Sequence, residues 1–359
     1  PRKEGPPATM TLLRAFHVCL LLGAAALSAL ELPDIPDPQG RAGMMAAVIL
    51  DGDGREAILA AGGANFPGKP PWEGGTKVFH RDIFLCRRDA AGKWSWTKVG
   101  DLPGPNAYAA FCASPDRKAM IIAGGADAEK HLDAVWKVGA DGRCEKFAAP
   151  LPEPRAYAGF AEVNGALAVL GGSRSPDATA ALGTLASLRL DQPQAGWRLS
   201  AEEAAQARIL PLFGADETTL LWGGGCGLFA QGGKPARAYQ SDLQHANSRL
   251  QGADFHGLPA PLAAPAGPGV ASGTGLFFVG GDDGGHYGKP PADHPGQSRG
   301  ILFIDLETRE PKVVGQWPTP LATAPLLRLG HDLVTISGET RPGVRTPACS
   351  SWTIPAKFR

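Results

Sequence analysis

Charged and amide side chains that could hold an anionic small molecule occur at two recurring places along this chain. One set directly follows apolar segments that end in Gly-Gly, and it consists of Asn65, Asp127, Arg174, Asp282, Asp283, Glu339 and Arg345. The other opens the Ala- and Gly-rich stretches that precede those segments, and it consists of Arg41, Asn106, Arg155 and Arg208. Arginine binds carboxylates through paired hydrogen bonds. Any single member can equally solvate a loop or form an ion pair, so the predicted site depends on the convergence of the whole set.

Three long loops carry most of this chemistry, at residues 64–80, 282–296 and 338–346. Long loops on a rigid scaffold are where binding and catalytic residues concentrate. Their positions, together with the strand-opening arginines, give the candidate substrate-binding residues Arg41, Asn65, Arg155, Asp283 and Arg341.

The elements that must position these loops form an internal repeat. An apolar segment ending in Gly-Gly recurs at 58–63, 120–125, 167–172, 220–224 and 276–281, and a sixth copy at 333–338 has Ser337 in place of the first glycine. The spacing is close to the kelch period of ~50 residues. Each unit also has an Ala- and Gly-rich strand before this segment and two strands after it. The sequence therefore predicts an all-β, six-bladed kelch-type β-propeller whose loops converge on one face.

The ends of the chain predict how this propeller closes. The last unit lacks an outer strand, and residues 30–35 resemble residues 99–103, which end the first unit. We therefore expect an N-terminal strand to complete the last blade, so that residues 30–359 form a single domain without open sheet edges. The 48 glycines and 33 prolines among 359 residues fit this architecture and exclude long helices. Lys+Arg and Asp+Glu balance at 35 each, which disfavours nucleic-acid binding.

Residues 1–29 have the pattern of a targeting segment. Arg14 precedes an apolar run from Val18 to Leu30 that contains small residues near its end, which predicts a secretory signal peptide cleaved near Ala29, preceded by an upstream extension. An uncleaved anchor or a buried helix is the alternative. We expect a periplasmic or secreted, monomeric protein without stable membrane insertion once the signal is removed. Five cysteines remain, with no C-x-x-C pair, so one disulfide is possible in an export compartment and a zinc site is not predicted.

The loops 62–67 and 338–346 resemble those of N-acetylneuraminate epimerases, the kelch-propeller sialic acid mutarotases. Residues 338–346, GETRPGVRT, match the pattern G-E-x-[KR]-P-G-x-R-T at every fixed position. The resemblance covers the six repeats, roughly residues 31–355. In this family the GETRPGVRT loop is expected before the Gly-Gly-Ala loop, whereas here it comes last. The chain therefore resembles a cyclically permuted branch, which a propeller tolerates because its ends meet.

The resemblance implies that Glu339 and Arg345 are active-site residues. Mutarotation opens a cyclic hemiketal and recloses it on the other face, and a positioned carboxyl can serve as the general acid/base. Arg345 would anchor the substrate carboxylate or stabilise developing charge. No metal, nucleotide or electron carrier is expected. Two alternatives stay open: an ion pair of Glu339 with Arg345 or Arg341 that braces the loop, and a non-enzymatic kelch propeller that binds glycans or protein partners.

Overall fold

The computed structural model describes residues 30–359 except 202, 204–206, 248–251 and 255–256. The predicted upstream extension and signal peptide, residues 1–29, lie outside the described residues. The described chain is almost entirely β-structure, and its helical segments are short 3-10 turns at Pro71–Glu73, Pro193–Ala195, Pro291–Asp293 and Ala356–Phe358. Among the helices of this part of the chain, none is long and apolar enough to span a bilayer.

The first three antiparallel sheets are each built from one continuous stretch of chain. The first contains β1 (Ala42–Leu50), β2 (Glu56–Asn65), β3 (Val78–Phe79), β4 (Asp82–Arg88) and β5 (Trp94–Asp101), in the order β1-β2-β4-β5 with β3 on β2. The second contains β6 (Ala110–Ala113), β7 (Ala119–Ala126), β8 (His131–Gly139) and β9 (Cys144–Lys146), in chain order. The third contains β10 (Gly159–Val163), β11 (Ala166–Leu170), β12 (Leu185–Arg189) and β13 (Arg198–Leu199), also in chain order.

The rest of the chain repeats this arrangement with one insertion. The fourth stretch contains β14 (Leu212–Ala215), β15 (Thr219–Gly223), the separate hairpin β16 (Cys226–Gln231) and β17 (Lys234–Tyr239), β18 (Leu243–Asn247) and β19 (Gly252–Asp254). The fifth contains β20 (Ala266–Ser272), β21 (Gly275–Val279), β22 (Gly300–Asp305) and β23 (Pro311–Gln316), and a single parallel pairing joins it to the fourth. The last sheet contains β24 (Leu326–Leu329), β25 (Asp332–Arg341) and β26 (Val344–Thr353).

A closed ring of backbone hydrogen bonds joins the starts of the inner strands. Each of six residues donates its N–H to the carbonyl of the previous one at 2.7–3.2 Å, and the first donates to the last. The members of this axial ring are Gly43, Tyr108, Tyr157, Leu210, Ala264 and Thr323. All six have a positive φ between 51° and 64°, which a non-glycine residue adopts only when its surroundings hold it there. The ring arranges the sheets around one axis and gives the predicted propeller-like, all-β fold.

The Gly-Gly pairs connect each sheet to the next one. Gly63 N–H donates to the carbonyl of Asn106 at 2.9 Å, and a Cβ on Gly62 would lie 2.1 Å from that carbonyl oxygen. Glycine is therefore required by close backbone approach at this point, as well as by a φ of 66°. The sixth copy uses Ser337 instead, whose Oγ accepts the Arg41 N–H at 2.7 Å and donates to the Thr346 carbonyl at 2.6 Å. In the sixth copy the Ser337 side chain therefore makes the connection to the next sheet that backbone groups make in the other copies.

The core lies between neighbouring sheets, and the N-terminal segment extends it. Leu30, Leu32 and Ile35 pack with residues of the first and last sheets, Ile35 N–H donates to the Pro347 carbonyl at 3.0 Å, and Ser351 Oγ donates to the Leu30 carbonyl at 2.6 Å. Residues 30–35 nevertheless form no regular strand, so the predicted strand is an extended segment held by isolated hydrogen bonds. The five cysteines of the described chain are all unbridged.

Candidate functional site

The β25–β26 hairpin brings Glu339 and Arg345 together. The two residues are direct cross-strand partners, and the backbone of Glu339 is held from the other side by two hydrogen bonds with Ala322, at 2.8 and 2.9 Å. Gly343 turns the hairpin with a φ of 84° and donates its N–H to Glu339 Oε1 at 3.2 Å. A side chain at Gly343 would collide with Pro71. The pair is therefore presented by a rigid hairpin rather than by a mobile loop.

The guanidinium of Arg345 is buried without being fully paired. Its Nη1 lies 3.0 Å from Glu339 Oε2, with the Arg345 side chain 5% and the Glu339 side chain 16% exposed. The same Nη1 has no hydrogen-bond partner of acceptable geometry among the described residues, and Nε makes one long contact of 3.4 Å with the Ala64 carbonyl. The ring of Phe66 covers the group at 5.2 Å. Donors left open in a buried guanidinium are suited to an anionic oxygen from a ligand.

Lys77, Tyr108 and Tyr157 extend this pair across the axis. Lys77 Nζ lies 4.5 Å from the ring centre of Tyr108, beside the Tyr157 phenol, and within electrostatic reach of Glu339 and Arg345. Burial lowers the pKa of Lys77 and raises the pKa of Tyr157. Burial also raises the pKa of Tyr108 to about 12, although the neighbouring Arg345 opposes the rise. With Glu339 and Arg345, these three residues form what we call the axial cluster.

The inserted β16–β17 hairpin adds a further cation to this face. Arg237 lies beside the phenols of Tyr239 and Tyr157, and its backbone N–H donates to the Tyr287 hydroxyl at 3.1 Å. Tyr239 donates to Asp282 Oδ2 at 2.5 Å, and both the burial of Tyr239 and this contact raise its pKa. Three cations, Lys77, Arg237 and Arg345, therefore lie near one another with Glu339 as the carboxylate among them. This excess of positive charge favours an anionic ligand.

An apolar cavity of about 80 Å³ lies along the axis, next to the cluster. Its lining includes both axial tyrosines, the aromatic side chains Phe111, Phe160 and Phe213 of three inner strands, and Phe278 of β21. In the described residues no group of three His, Cys, Asp or Glu side chains is placed to hold a metal ion. The polar face and the apolar cavity together resemble the usual composition of small-molecule sites, which combine an apolar wall with a few converging polar groups.

Three of the predicted binding residues are engaged in pairing within and between the sheets. Arg41 bonds to Asp37, to Asp82 and to the Gly62 carbonyl at 2.8, 2.8 and 3.2 Å. Asn65 bonds to Asp37 and to the Gly40 carbonyl at 3.0 and 2.9 Å. Arg155 makes four hydrogen bonds to Val169, Thr184 and Glu153. The geometry gives these three a bracing role, and substrate binding by them stays a prediction.

Arg208 follows the same pattern as Arg41 and Arg155. Its guanidinium donates to the Gly224 carbonyl at 3.0 Å and to both oxygens of Asp242 at 2.9 and 2.8 Å. Each of the three arginines opens an inner strand, bonds to a carbonyl at the end of a second strand and meets one carboxylate or more. We call Arg41, Arg155 and Arg208 the clamp arginines.

Asp283 and Arg341 contact residues outside the axial cluster. Asp283 is exposed, and its Oδ1 accepts the Gly285 N–H at 2.8 Å in a local turn. Arg341 stacks on Trp72 at 5.3 Å and donates to the Ala292 carbonyl at 3.0 Å, so it joins the hairpin tip to the two neighbouring long loops. Of the seven predicted site residues, the structure brings only Glu339 and Arg345 together at the axis.

Sequence reasoning missed Lys77, Tyr108, Tyr157 and Arg237. One signal was present: the chain has only four tyrosines, and the described structure places all of them on this face, at Tyr108, Tyr157, Tyr239 and Tyr287. Tyr108 and Tyr157 also occupy equivalent positions in two repeats, in the segments Asn-Ala-Tyr-Ala and Arg-Ala-Tyr-Ala. A large polar side chain where other repeats have Gly, Leu, Ala or Thr indicates a role beyond the scaffold.

Comparison with known proteins gives two kinds of similarity. A protein named N-acetylneuraminate epimerase from Haemophilus influenzae strain 86-028NP is 33% identical over 122 residues, which are 32% of this chain and 31% of that protein. The protein of the same name from strain PittEE is 32% identical over 122 residues, which are again 32% of this chain and 31% of that protein. The matched part thus spans about a third of these curated relatives. A search against family models finds no match.

The solved structure of YjhT superposes with a TM-score of 0.65 at 15% identity, over 90% of this chain and 97% of that one. At this identity the similarity shows the fold. The predicted resemblance is therefore confirmed: over about a third of its length this chain is similar to N-acetylneuraminate epimerases, and its fold is that of YjhT.

Proposed function

We propose that this protein is an isomerase that interconverts the α and β anomers of N-acetylneuraminate or of a related keto sugar acid. The observation that carries the proposal is the cross-strand pair Glu339–Arg345 at the axis, with an incompletely bonded, buried guanidinium and two further cations nearby. The similarity to N-acetylneuraminate epimerases over a third of the chain supports the choice of substrate.

The reaction assigns different tasks to the two members of the pair. The open donors of Arg345 bind the substrate carboxylate and fix C2, the anomeric carbon, next to Glu339. Glu339 takes the proton of the C2 hydroxyl while the bond between C2 and the ring oxygen breaks, and a second group must give a proton to that oxygen. Rotation about the C2–C3 bond exposes the other face of the ketone, and the reverse transfers reclose the ring. Besides the breaking and re-forming of the bond between C2 and the ring oxygen, the reaction needs only proton transfers.

For the scaffold, we propose a six-bladed kelch-type propeller that forms a single domain and is closed by the N-terminal segment. The six-membered ring of backbone hydrogen bonds supports this number of blades, since each of the six residues opens the inner strand of a different repeat unit. The contacts of Leu30 and Ile35 with the last sheet support the closure. Truncation of residues 30–35 tests it, because loss of these contacts should lower the thermal unfolding midpoint without changing the β-sheet signal in circular dichroism.

We also propose that the protein is exported and acts as a monomer. The export proposal depends on the pattern of residues 14–30, with Arg14 before an apolar run. N-terminal sequencing of protein recovered from outside the cytoplasm tests it, since processing near Ala29 is expected. Analytical ultracentrifugation at several protein concentrations tests whether the protein is a monomer, because it measures the molar mass in solution.

Proton NMR tests the activity directly. Freshly dissolved α-N-acetylneuraminate is added to the protein, and the anomer ratio is followed against buffer alone. Faster approach to the same equilibrium ratio is expected, since a catalyst changes the rate and not the ratio. The alternative, a kelch propeller that only binds glycans or protein partners, predicts line broadening or retention on an immobilised glycan with the buffer rate of mutarotation. That result would exclude the isomerase.

A further inference from the structure

Ring opening needs two proton transfers, and the Glu339 carboxylate accounts for one of them. The second group must lie on the same face, carry a transferable proton and approach the sugar from a different direction than Glu339. Arg345 does not meet the second condition, because a guanidinium does not release its proton in proteins. The remaining groups of the axial cluster are Lys77, Tyr108 and Tyr157.

Lys77 meets all three conditions. It comes from the loop before β3, whereas Glu339 comes from the last sheet, and its ammonium lies over the Tyr108 ring at 4.5 Å and the Phe79 ring at 4.9 Å. These aromatic faces hold the cation without accepting its protons. The Tyr157 phenol is its hydrogen-bonding neighbour, and a ring edge of His131 lies behind Tyr157, at 5.6 Å between centroids.

We propose that Lys77 is the second proton-transfer group and that Tyr157 positions it. As Glu339 removes the C2 hydroxyl proton, the bond from C2 to the ring oxygen breaks and the ring oxygen takes a proton from the Lys77 ammonium. On reclosure the hydroxyl returns that proton to the Lys77 amine while its oxygen attacks C2, and the carbonyl oxygen takes the proton held by Glu339. Both groups end in their starting protonation states. This inference rests on the proposed isomerase activity and names a residue for it.

The charges around Lys77 set the expected pH dependence. Burial lowers its pKa and Arg345 adds to this effect, whereas Tyr157 and Glu339 oppose it. Of the other groups that face the site, burial raises the pKa of Tyr108 to about 12, raises the pKa of Tyr157 and lowers the pKa of His131. Arg237 stays charged. A rate that requires the Lys77 ammonium should therefore fall as the pH rises through a value below 10.5.

The test compares Lys77→Arg and Lys77→Met with wild type by NMR exchange measurements of kcat and KM. Lys77→Arg keeps the charge but cannot release a proton, so kcat should fall about 100-fold or more with KM nearly unchanged. Lys77→Met should lose kcat and also raise KM. In Tyr157→Phe the alkaline limb of the pH profile should move to lower pH, because the phenol raises the pKa of Lys77. A purely structural role for Tyr157 would leave that limb in place.

The matched controls are Lys69→Arg and Lys69→Met, in the same loop but exposed, and they should leave kcat at the wild-type level. Thermal unfolding of every variant identifies those that fail to fold. If Lys77→Arg keeps kcat within about threefold of wild type, Lys77 acts only as a charge and the inference is wrong, while the isomerase activity stands. If wild-type protein itself gives the buffer rate, the proposed function and this inference both fail.

Discussion

Arg41 and Arg345 are equally buried, with 5% of each side chain exposed, yet their surroundings differ. Arg41 has two carboxylates at 2.8 Å and a carbonyl at 3.2 Å. Arg345 has one carboxylate at 3.0 Å, one carbonyl at 3.4 Å, the Tyr108 phenol as a further hydrogen-bonding neighbour and an Nη1 without a hydrogen-bond partner in the described chain. A buried charge with unmet hydrogen bonds is unfavourable for stability alone. The difference is one of degree, because the clamp residue Arg155 also has a buried Nε without a partner among the described residues, and it leaves Arg345 Nη1 open to an oxygen of a ligand.

The comparison predicts that substitutions of axial residues and of clamp residues have opposite effects on activity and stability. Loss of an axial residue should remove activity and leave the fold, because its partners are few and lie next to the cavity. Loss of a clamp residue should weaken the fold and leave the activity of the molecules that remain folded. The four changes below test this separation in order of decreasing expected effect.

Glu339→Gln should have the largest effect. The amide keeps the shape of the side chain and its contact with Gly343 N–H, but it cannot accept the C2 hydroxyl proton, so the enzymatic rate should fall by about 100- to 10,000-fold. The thermal unfolding midpoint should stay near that of wild type. NMR exchange between the anomers measures the rate, and Glu129→Gln, an exposed position, is the matched control. Full activity in Glu339→Gln would contradict the mechanism.

Arg41→Met should mainly change stability. The substitution leaves Asp37 and Asp82 without their shared cation, and breaking a buried ion pair costs about 3–5 kcal/mol. We expect about 3 kcal/mol, the lower end of that range, because Asp37 keeps Asn65 and Asp82 keeps Lys98 as partners. Urea unfolding measures the loss, and the rate per folded molecule should be unchanged. A large loss of rate with normal stability would instead show that Arg41 binds substrate, as its sequence position predicts.

Asp82→Asn should have a smaller effect that depends on pH. Hydrogen bonds from Lys98 and Arg41 outweigh the effect of burial and lower the pKa of Asp82 from 3.8 to about 2. A carboxyl with a lowered pKa stabilises the folded state above its unfolded pKa, and this contribution disappears as the pH falls toward 2. The variant should lose roughly 2 kcal/mol at pH 7, and the difference from wild type should shrink below pH 4. A constant difference across this range would exclude an electrostatic role.

The fold could be predicted from the sequence because its main determinant is local and repeated. The glycine pairs are required by backbone contacts such as that of Gly62 with the Asn106 carbonyl, so they recur in five of the six units and their spacing gives the all-β, propeller-like arrangement. The same reasoning explains the one irregular copy, since Ser337 makes the junction with its hydroxyl. The number of blades and the closure stay predictions, supported by the ring of hydrogen bonds and by the contacts of residues 30–35.

The candidate site could be predicted only in part, for a physical reason. Glu339 and Arg345 are six positions apart and pair across a hairpin, so a local pattern reveals them. Arg41 opens an inner strand and Arg345 follows a Gly-Gly segment, but both are arginines at loop ends, and only partners from other segments, such as Asp82, distinguish a clamp from a binding group. Lys77 lies 14 residues beyond Gly63 in a long loop, between the 3-10 turn Pro71–Glu73 and β3, so its approach to Tyr157 depends on the path of the loop.

Arg341→Ala should have the smallest effect and tests a residue that belongs to neither group. Its stacking on Trp72 and its hydrogen bond to Ala292 join the hairpin tip to the two flanking loops, and a cation–π contact at such a site contributes about 0.5–1 kcal/mol. We expect the free energy of unfolding to fall by about 1 kcal/mol and KM to change by less than about threefold. The sequence predicts that Arg341 binds substrate, and in that case KM should rise about tenfold or more, because a charged hydrogen bond to the ligand contributes about 1.5–3 kcal/mol. The free energy of unfolding and the change in KM, measured on the same variant, together decide whether the guanidinium at the hairpin tip holds the loops or binds the sugar acid.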